Sequence, residues 1–151
     1  MKIIGIDPDV RKCGLCVMHD GVIIELSCTT PSKIIEDIKI YHERGYIFAI
    51  EDLESSKATY YRGKQNQAQM MKIAQNVGMA KGAYEIIKQA IIECTGNNPF
   101  LSPQGCGKLV KKDKDYFNQI SGWSENSNED KRDAWAVANF AYKNYKGIKN
   151  V

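Results

Sequence analysis

The sequence predicts a single α/β domain built on a mixed sheet. Two apolar segments, residues 2–7 and 46–50, run directly into the carboxylates Asp7 and Glu51, as strands buried on both faces of a parallel pair do. Apolar residues at helical spacing lie between them, which gives a strand–helix–strand unit. The 151 residues suit one domain, residues 1–151, that buries its own core without disulfides.

The first half of the chain shows a meander followed by a helix. The segments 15–18 and 22–26 flank His-Asp-Gly, a hairpin signal, so the first three strands are expected to be antiparallel. Thr30 then supplies an N-cap and Pro31 the first helical position. Gly45 is placed to end this helix before the next strand.

The second half is predicted to be mainly helical. The expected elements are a long helix over 67–93, a short strand at 100–101, and helices over 108–120 and 129–145. Gly78 and Gly82 lower helix propensity inside the long helix, so we expect them to admit another element at close range. No repeat or linker divides the chain.

Composition excludes several classes of protein. With 43% hydrophobic residues, 26% charged residues and 4 prolines, the chain is neither disordered nor fibrous. No apolar run is long enough to span a membrane, and a charge follows the start too soon for a signal peptide. Five scattered cysteines are typical of reduced core thiols, and Cys13 and Cys16, three apart on a strand, should face opposite sides. We therefore expect a soluble, cytoplasmic protein.

Charge is distributed unevenly along the chain. Residues 1–54 carry 6 basic and 10 acidic side chains, whereas residues 55–151 carry 15 basic and 8 acidic ones. This pattern favours a metal centre beside a polyanion track, although a solvated basic helix face explains the charge equally well. The loop at 54–67 mixes cations with tyrosines that can stack on unpaired bases, or it is an ordinary mobile loop. The residues predicted to bind nucleic acid are Lys57, Tyr60, Tyr61, Arg62, Lys64 and Lys72.

Four carboxylates form the candidate catalytic group. Asp7 and Glu51 end neighbouring strands, and open α/β sheets bind ligands at that edge. Asp130 and Asp133 are three apart on a predicted helix, so they share one face. Each alone has a plainer explanation, as a turn residue or a helix-dipole partner. Together they would make a dense negative cluster of the kind that Mg²⁺ neutralises.

Three motifs in register resemble the RuvC family of Holliday-junction resolvases, in a bacterial or bacteriophage member. They are Ile-Asp-Pro at 6–8, followed by Arg11, Gly14 and Val17-Met18; Ala-Ile-Glu at 49–51; and Asp-Lys-Arg-Asp-Ala-Trp-Ala at 130–136. Their order and spacing extend the resemblance over nearly the whole chain. Asp9 departs from the family, which usually has glycine there, and its role is left open.

The resemblance implies an RNase H-like fold, with a five-stranded mixed sheet flanked by helices. Its first three strands would be antiparallel and the rest parallel. It also implies a homodimer that resolves four-way DNA junctions by paired symmetric nicks. By motif matching, the metal-binding catalytic carboxylates would be Asp7, Glu51, Asp130 and Asp133. Basic residues are expected beside them, and the candidates are Lys108 and Lys114.

The resulting hypothesis is a two-metal hydrolysis of a phosphodiester. Two Mg²⁺ ions, for which Mn²⁺ can substitute, would be bridged by Asp7 and would activate a water for in-line attack. The products would be a 5′ phosphate and a 3′ hydroxyl, and a nearby lysine would offset charge on the phosphate. Sequence preference, strictness for four-way junctions over forks and flaps, and a branch-migration motor as partner are left open.

Other readings of the same residues remain. The nearest is another RNase H-like nuclease acting on RNA or an RNA–DNA hybrid. Sugar-kinase and actin-like ATPases share the first hairpin but need two such domains and a phosphate loop. A non-catalytic DNA-binding module would have no use for four intact acids. A dimer face could be built from Met70, Met71, Met79 and the pair Gly78 and Gly82, or these residues could be core packing.

Overall fold

The five strands follow the predicted order. The computed structural model describes residues 1–54 and 66–145, except for the side chain of Ile73. The strands are β1 (Lys2–Asp7), β2 (Cys13–His19), β3 (Val22–Thr29), β4 (Ile47–Glu51) and β5 (Phe100–Ser102). They form one sheet in the order β3-β2-β1-β4-β5. β1 to β3 pair antiparallel, while β4 and β5 add in parallel, which confirms the predicted mixed sheet.

Five helices are described, and one prediction about them is wrong. They are α1 (Pro31–Glu43), α2 (Gln67–Thr95), α3 (Lys108–Lys111), α4 (Lys114–Ser121) and α5 (Glu129–Asn144). The single helix predicted over 108–120 is two helices, because the Asp113 side chain accepts a hydrogen bond from the Tyr116 amide and starts a new helix. As predicted, Thr30 caps α1 and Pro31 begins it.

Strand alternation creates two cores, one on each face of the sheet. Ile4 and Ile6 of β1 pack with α1 and the C-terminal half of α2. Ile3 packs on the other face with α5, α3 and α4. Cys13 belongs to the first core and Cys16 to the second, which confirms that these two thiols face opposite sides.

Two glycines allow α5 to lie directly on the sheet. A Cβ at Gly5 would lie 2.4 Å from the Ala134 carbonyl oxygen, and a Cβ at Gly14 would lie 2.1 Å from that of Asp130. Both contacts are shorter than any side chain tolerates, so glycine is required where the helix crosses β1 and β2. Ala138 of α5 is likewise fully buried. This close packing fixes the height of the first turn of α5 above the strand ends.

The N-terminal half of α2 packs less than the sequence predicts. Among residues 1–54 and 66–145, nothing lies within 4 Å of a Cβ added at Gly78 or Gly82, so no described element makes the close approach predicted there. Met71 is 67% exposed, whereas Tyr84 and Ile87 in the second half are fully buried. In the described ranges 1–54 and 66–145, no helix is long and apolar enough to cross a membrane.

Candidate active site

The carboxylates of β1 and β4 lie side by side at one edge of the sheet. Ile6 pairs with Ile50 in the parallel register, so Asp7 and Glu51 occupy the next position on each strand. Alternation from Gly5 sets the side chain of Asp7 on the face that α5 covers. The two acids therefore converge beneath the start of α5, as the sequence predicts.

The first turn of α5 brings the other two acids to the same edge. The Asn128 side chain accepts a hydrogen bond from the Lys131 amide at 2.9 Å, which caps the helix just before Asp130. Gly14, the cross-strand partner of Asp7, leaves room for the Asp130 backbone. All four predicted carboxylates are thus assembled from three separate parts of the chain.

Electrostatic strain is concentrated on Asp7. Its burial raises the pKa to about 8, and the negative charges of Glu51, Asp133 and Asp130 contribute in the same direction. Burial also raises the pKa of Glu51, although the Gly105 amide donates a hydrogen bond to Glu51 Oε1 at 3.1 Å and opposes the rise. Without a bound metal ion, keeping all of these carboxylates ionised at neutral pH costs folding free energy.

Asp9 adds charge at the rim of this cluster. Burial raises the pKa of Asp130, and the Asp9 carboxylate is the next cause. Asp9 itself is exposed, and its Oδ1 accepts a hydrogen bond from the Arg11 amide at 2.8 Å. Asp9 therefore stabilises the turn between β1 and β2, and its negative charge helps to raise the pKa of Asp130 on α5.

Among the described residues, the lysine that contacts the acids is Lys111, which sequence reasoning missed. Its Nζ lies 2.6 Å from Asp133 Oδ2. Burial lowers the Lys111 pKa, but Asp133, Asp7 and Glu51 together raise it above the ordinary value. Lys108 and Lys114, the predicted candidates, are both exposed. Lys111 was missed because the sequence analysis predicts one continuous helix over 108–120. In the structure Asp113 is the N-cap of a second helix, so the first helix ends at Lys111. Asp113, a residue type favoured at N-caps, is the signal that could have revealed this break.

Gly107 lets α3 approach α5 at the site. A Cβ there would lie 2.4 Å from Asp133 Oδ1 and 3.1 Å from the Ala136 Cβ. The glycine precedes Lys108, the first residue of α3. Asp133 is therefore bounded by the Gly107 backbone on one side and the Lys111 ammonium on the other, with its side chain only 13% exposed.

The donor set suits a hard divalent cation held by few protein ligands. Within residues 1–54 and 66–145, no three His, Cys, Asp or Glu side chains are grouped so that they could hold one metal ion together. Mg²⁺ commonly takes only one or two carboxylates and completes its shell with waters and substrate phosphate oxygens. Carboxylates with raised pKa values, such as Asp7, are the groups that such an ion would hold ionised.

One of the six residues predicted to bind nucleic acid, Lys72, belongs to the described part of the chain. Lys57, Tyr60, Tyr61, Arg62 and Lys64 lie outside the described residues. Lys72 is exposed on the N-terminal half of α2. The described chain resumes at Asn66, whose side chain accepts a hydrogen bond from the Gln69 amide and caps α2.

Comparison with known proteins establishes the fold. No family model and no curated protein sequence matches the chain. Among solved structures, T. thermophilus RuvC in complex with a Holliday junction substrate is 20% identical, with 95% of this chain and 94% of that chain covered and a TM-score of 0.58. A second Thermus thermophilus RuvC structure is 18% identical, covers 95% of each chain and has a TM-score of 0.56. The predicted RNase H-like fold is confirmed.

Proposed function

We propose that the protein is a metal-dependent, structure-selective endonuclease that resolves four-way DNA junctions. The observation that carries the proposal is the convergence of Asp7, Glu51, Asp130 and Asp133 at the carboxyl edge of β1 and β4. Burial and mutual repulsion raise the Asp7 pKa to about 8, so the cluster favours a bound cation. A RuvC-like fold with a carboxylate cluster in this position supports phosphodiester hydrolysis over binding alone.

Asp7 and Glu51, together with Asp130 and Asp133, would hold two Mg²⁺ or Mn²⁺ ions. When bound, such ions supply a nucleophilic hydroxide and stabilise the leaving 3′ oxygen, which gives 5′-phosphate and 3′-hydroxyl ends. The chain contributes a rigid arrangement, because the strand ends and the first turn of α5 are locked by the glycine contacts at Gly5 and Gly14.

Lys111 would supply the cationic partner for the scissile phosphate. Its ammonium is already beside Asp133 and is half exposed, with a side-chain exposure of 42%. A fixed positive charge beside a developing phosphorane charge lowers the barrier.

Branched DNA as substrate rests on the basic second half of the chain. Residues 55–84 contain five cations and no acid, directly after the strand that ends at Glu51. The similar T. thermophilus RuvC is described in complex with a Holliday junction substrate. A homodimer would present two such sites to two opposing strands, and the face of α2 with Gly78 and Gly82, against which no described residue packs within 4 Å of an added Cβ, is the candidate interface.

The test is a cleavage assay with Mg²⁺ on a labelled four-way junction, run beside a linear duplex and an RNA–DNA hybrid. Paired symmetric nicks in the junction alone are expected. Cleavage of RNA or of the hybrid instead would keep the four carboxylates in their roles but make the protein a ribonuclease. Absence of cleavage on all three substrates, with Mg²⁺ and with Mn²⁺, would overturn the proposal.

A further inference from the structure

Arg132 is a buried charged residue that the catalytic scheme above does not use. It lies between Asp130 and Asp133 on α5, yet it is 7% exposed and faces away from solvent. Buried guanidinium groups are stable only when their donors are satisfied. The partners of Arg132 therefore indicate what it does.

Within the described residues, the side-chain hydrogen bonds of Arg132 all reach oxygens outside α5. Its Nε donates to the Lys111 carbonyl oxygen at 2.8 Å. One Nη donates to the Ser127 carbonyl oxygen at 2.9 Å and to the Ser127 Oγ at 3.1 Å. A single side chain thus joins the last turn of α3 to the loop that precedes α5.

The Lys111 carbonyl is one of the groups that a helix end leaves without a partner. α3 has only four residues, from Lys108 to Lys111, so its own hydrogen bonds restrain it weakly. A cation at the C-terminal end of a helix satisfies such carbonyls and complements the dipole. Arg132 fills this role for α3 from a neighbouring helix.

We propose that Arg132 is a positioning residue, which fixes the backbone of Lys111 and thereby holds its ammonium beside Asp133. The arrangement is a closed loop: the Arg132 guanidinium binds the Lys111 carbonyl, the Lys111 ammonium lies 2.6 Å from Asp133 Oδ2, and Asp133 follows Arg132 in sequence. The same guanidinium also secures Ser127, next to the Asn128 cap of α5.

The structural contact can be tested without any activity. Lysine-specific labelling followed by peptide mass spectrometry should show Lys111 labelled slowly in the wild type, since its amine is paired. In Arg132→Ala we expect Lys111 labelling to rise several-fold while Lys114 labelling stays constant. Arg44→Ala, an exposed arginine at the end of α1, is the matched control. Unchanged Lys111 labelling in folded Arg132→Ala would overturn the proposal.

The catalytic consequence rests on the proposed nuclease function and is tested by a double-mutant cycle. Arg132→Ala and Lys111→Ala should each lower kcat for junction cleavage by roughly tenfold or more, with KM within about twofold. In the Lys111→Ala background, Arg132→Ala should cost little more, because its effect passes through Lys111. Fully additive losses would refute a positioning role.

One further variant and the wild-type protein separate the possible failures. Arg132→Lys keeps a cation and should recover part of kcat; if Arg132→Ala does not fold, the labelling and the cycle are run with Arg132→Lys, whose Lys111 labelling should lie above wild type. Wild-type protein without cleavage, but with the expected Lys111 labelling, would reject the nuclease proposal and leave the positioning contact supported.

Discussion

Gly14 packs so closely against the backbone of Asp130 that no side chain can be accommodated at position 14. A Cβ at this position would be 2.1 Å from the Asp130 carbonyl oxygen and 3.1 Å from the Ala134 Cβ. Gly14 is also the cross-strand partner of Asp7. One glycine thus sets the separation between a strand carboxylate and a helix carboxylate of the candidate active site.

Replacing Gly14 should therefore damage both stability and site geometry. Gly14→Ala is expected to lower the free energy of unfolding by about 2–3 kcal/mol, because backbone atoms of α5 must move. Urea unfolding followed by circular dichroism measures the loss. Junction cleavage by the folded variant should fall as well, and wild-type values in both assays would contradict the close packing.

Asp7→Asn should abolish cleavage and spare junction binding. The substitution keeps the shape of the side chain but removes the charge that holds a cation, so we expect kcat to fall by at least about 10³-fold. Gel-shift titration in Ca²⁺ measures binding separately from cleavage. Asp52→Asn is a suitable control, since Asp52 directly follows Glu51 and its Oδ1 accepts a hydrogen bond from the Glu54 amide. Substantial residual cleavage by Asp7→Asn would exclude its assigned role.

The raised pKa of Asp7 also predicts how stability depends on pH. In the folded protein Asp7 keeps its proton up to a pKa of about 8, whereas the unfolded chain releases it near 3.8. The folded state therefore binds the extra proton, so Asp7 makes the free energy of unfolding fall as pH rises between these values and leaves it level above them.

Asp7→Asn should remove this dependence in metal-free protein. Relative to wild type, we expect the variant to be more stable by on the order of 2 kcal/mol at pH 8.5, and by less at pH 5. Urea unfolding in EDTA at the two pH values measures the difference. Saturating Mg²⁺ should stabilise the wild type and reduce the advantage of the variant. An equal difference at both pH values would contradict the burial of Asp7 as a protonated acid.

Alanine substitutions should identify which lysine serves the site. Lys111→Ala is expected to lower kcat by roughly 10²-fold, because a charge beside the reacting phosphate is lost. Lys112→Ala, an exposed neighbour, is the matched control, and Lys108→Ala and Lys114→Ala should act mainly on binding. Single-turnover cleavage separates the two effects. A larger loss for Lys108 or Lys114 would restore one of the candidates predicted from sequence.

An alanine at Gly78 should report on the proposed dimer. No described residue lies within 4 Å of a Cβ added at Gly78, so Gly78→Ala should raise helix stability by about 0.5–1 kcal/mol in an isolated chain. If this face joins two subunits, the same substitution should weaken association in sedimentation velocity. A wild type that remains monomeric with and without junction DNA would count against the dimer.

The sequence alone determined the order of the five strands, the starts of α1, α2 and α5, and the four acids. Two continuous apolar runs with a helical segment between them place Asp7 and Glu51 on adjacent parallel strands without any knowledge of side-chain packing. A spacing of three places Asp130 and Asp133 on one face of a helix. These features depend on local patterns, which a single chain displays directly.

Only the tertiary structure decided which cation meets the acids and where glycine is required. The sequence offers Lys108, Lys111 and Lys114 as lysines near the acids, and the structure places the Lys111 ammonium 2.6 Å from Asp133 Oδ2. A new helix starts after Asp113, and Arg132 donates a hydrogen bond to the Lys111 carbonyl oxygen. The sequence predicts a close approach at Gly78, but no described residue lies within 4 Å of a Cβ added there, whereas Gly14 packs directly against the backbone of α5. Contacts between residues far apart in sequence depend on how the helices and strands pack together, and a local sequence pattern does not specify that packing.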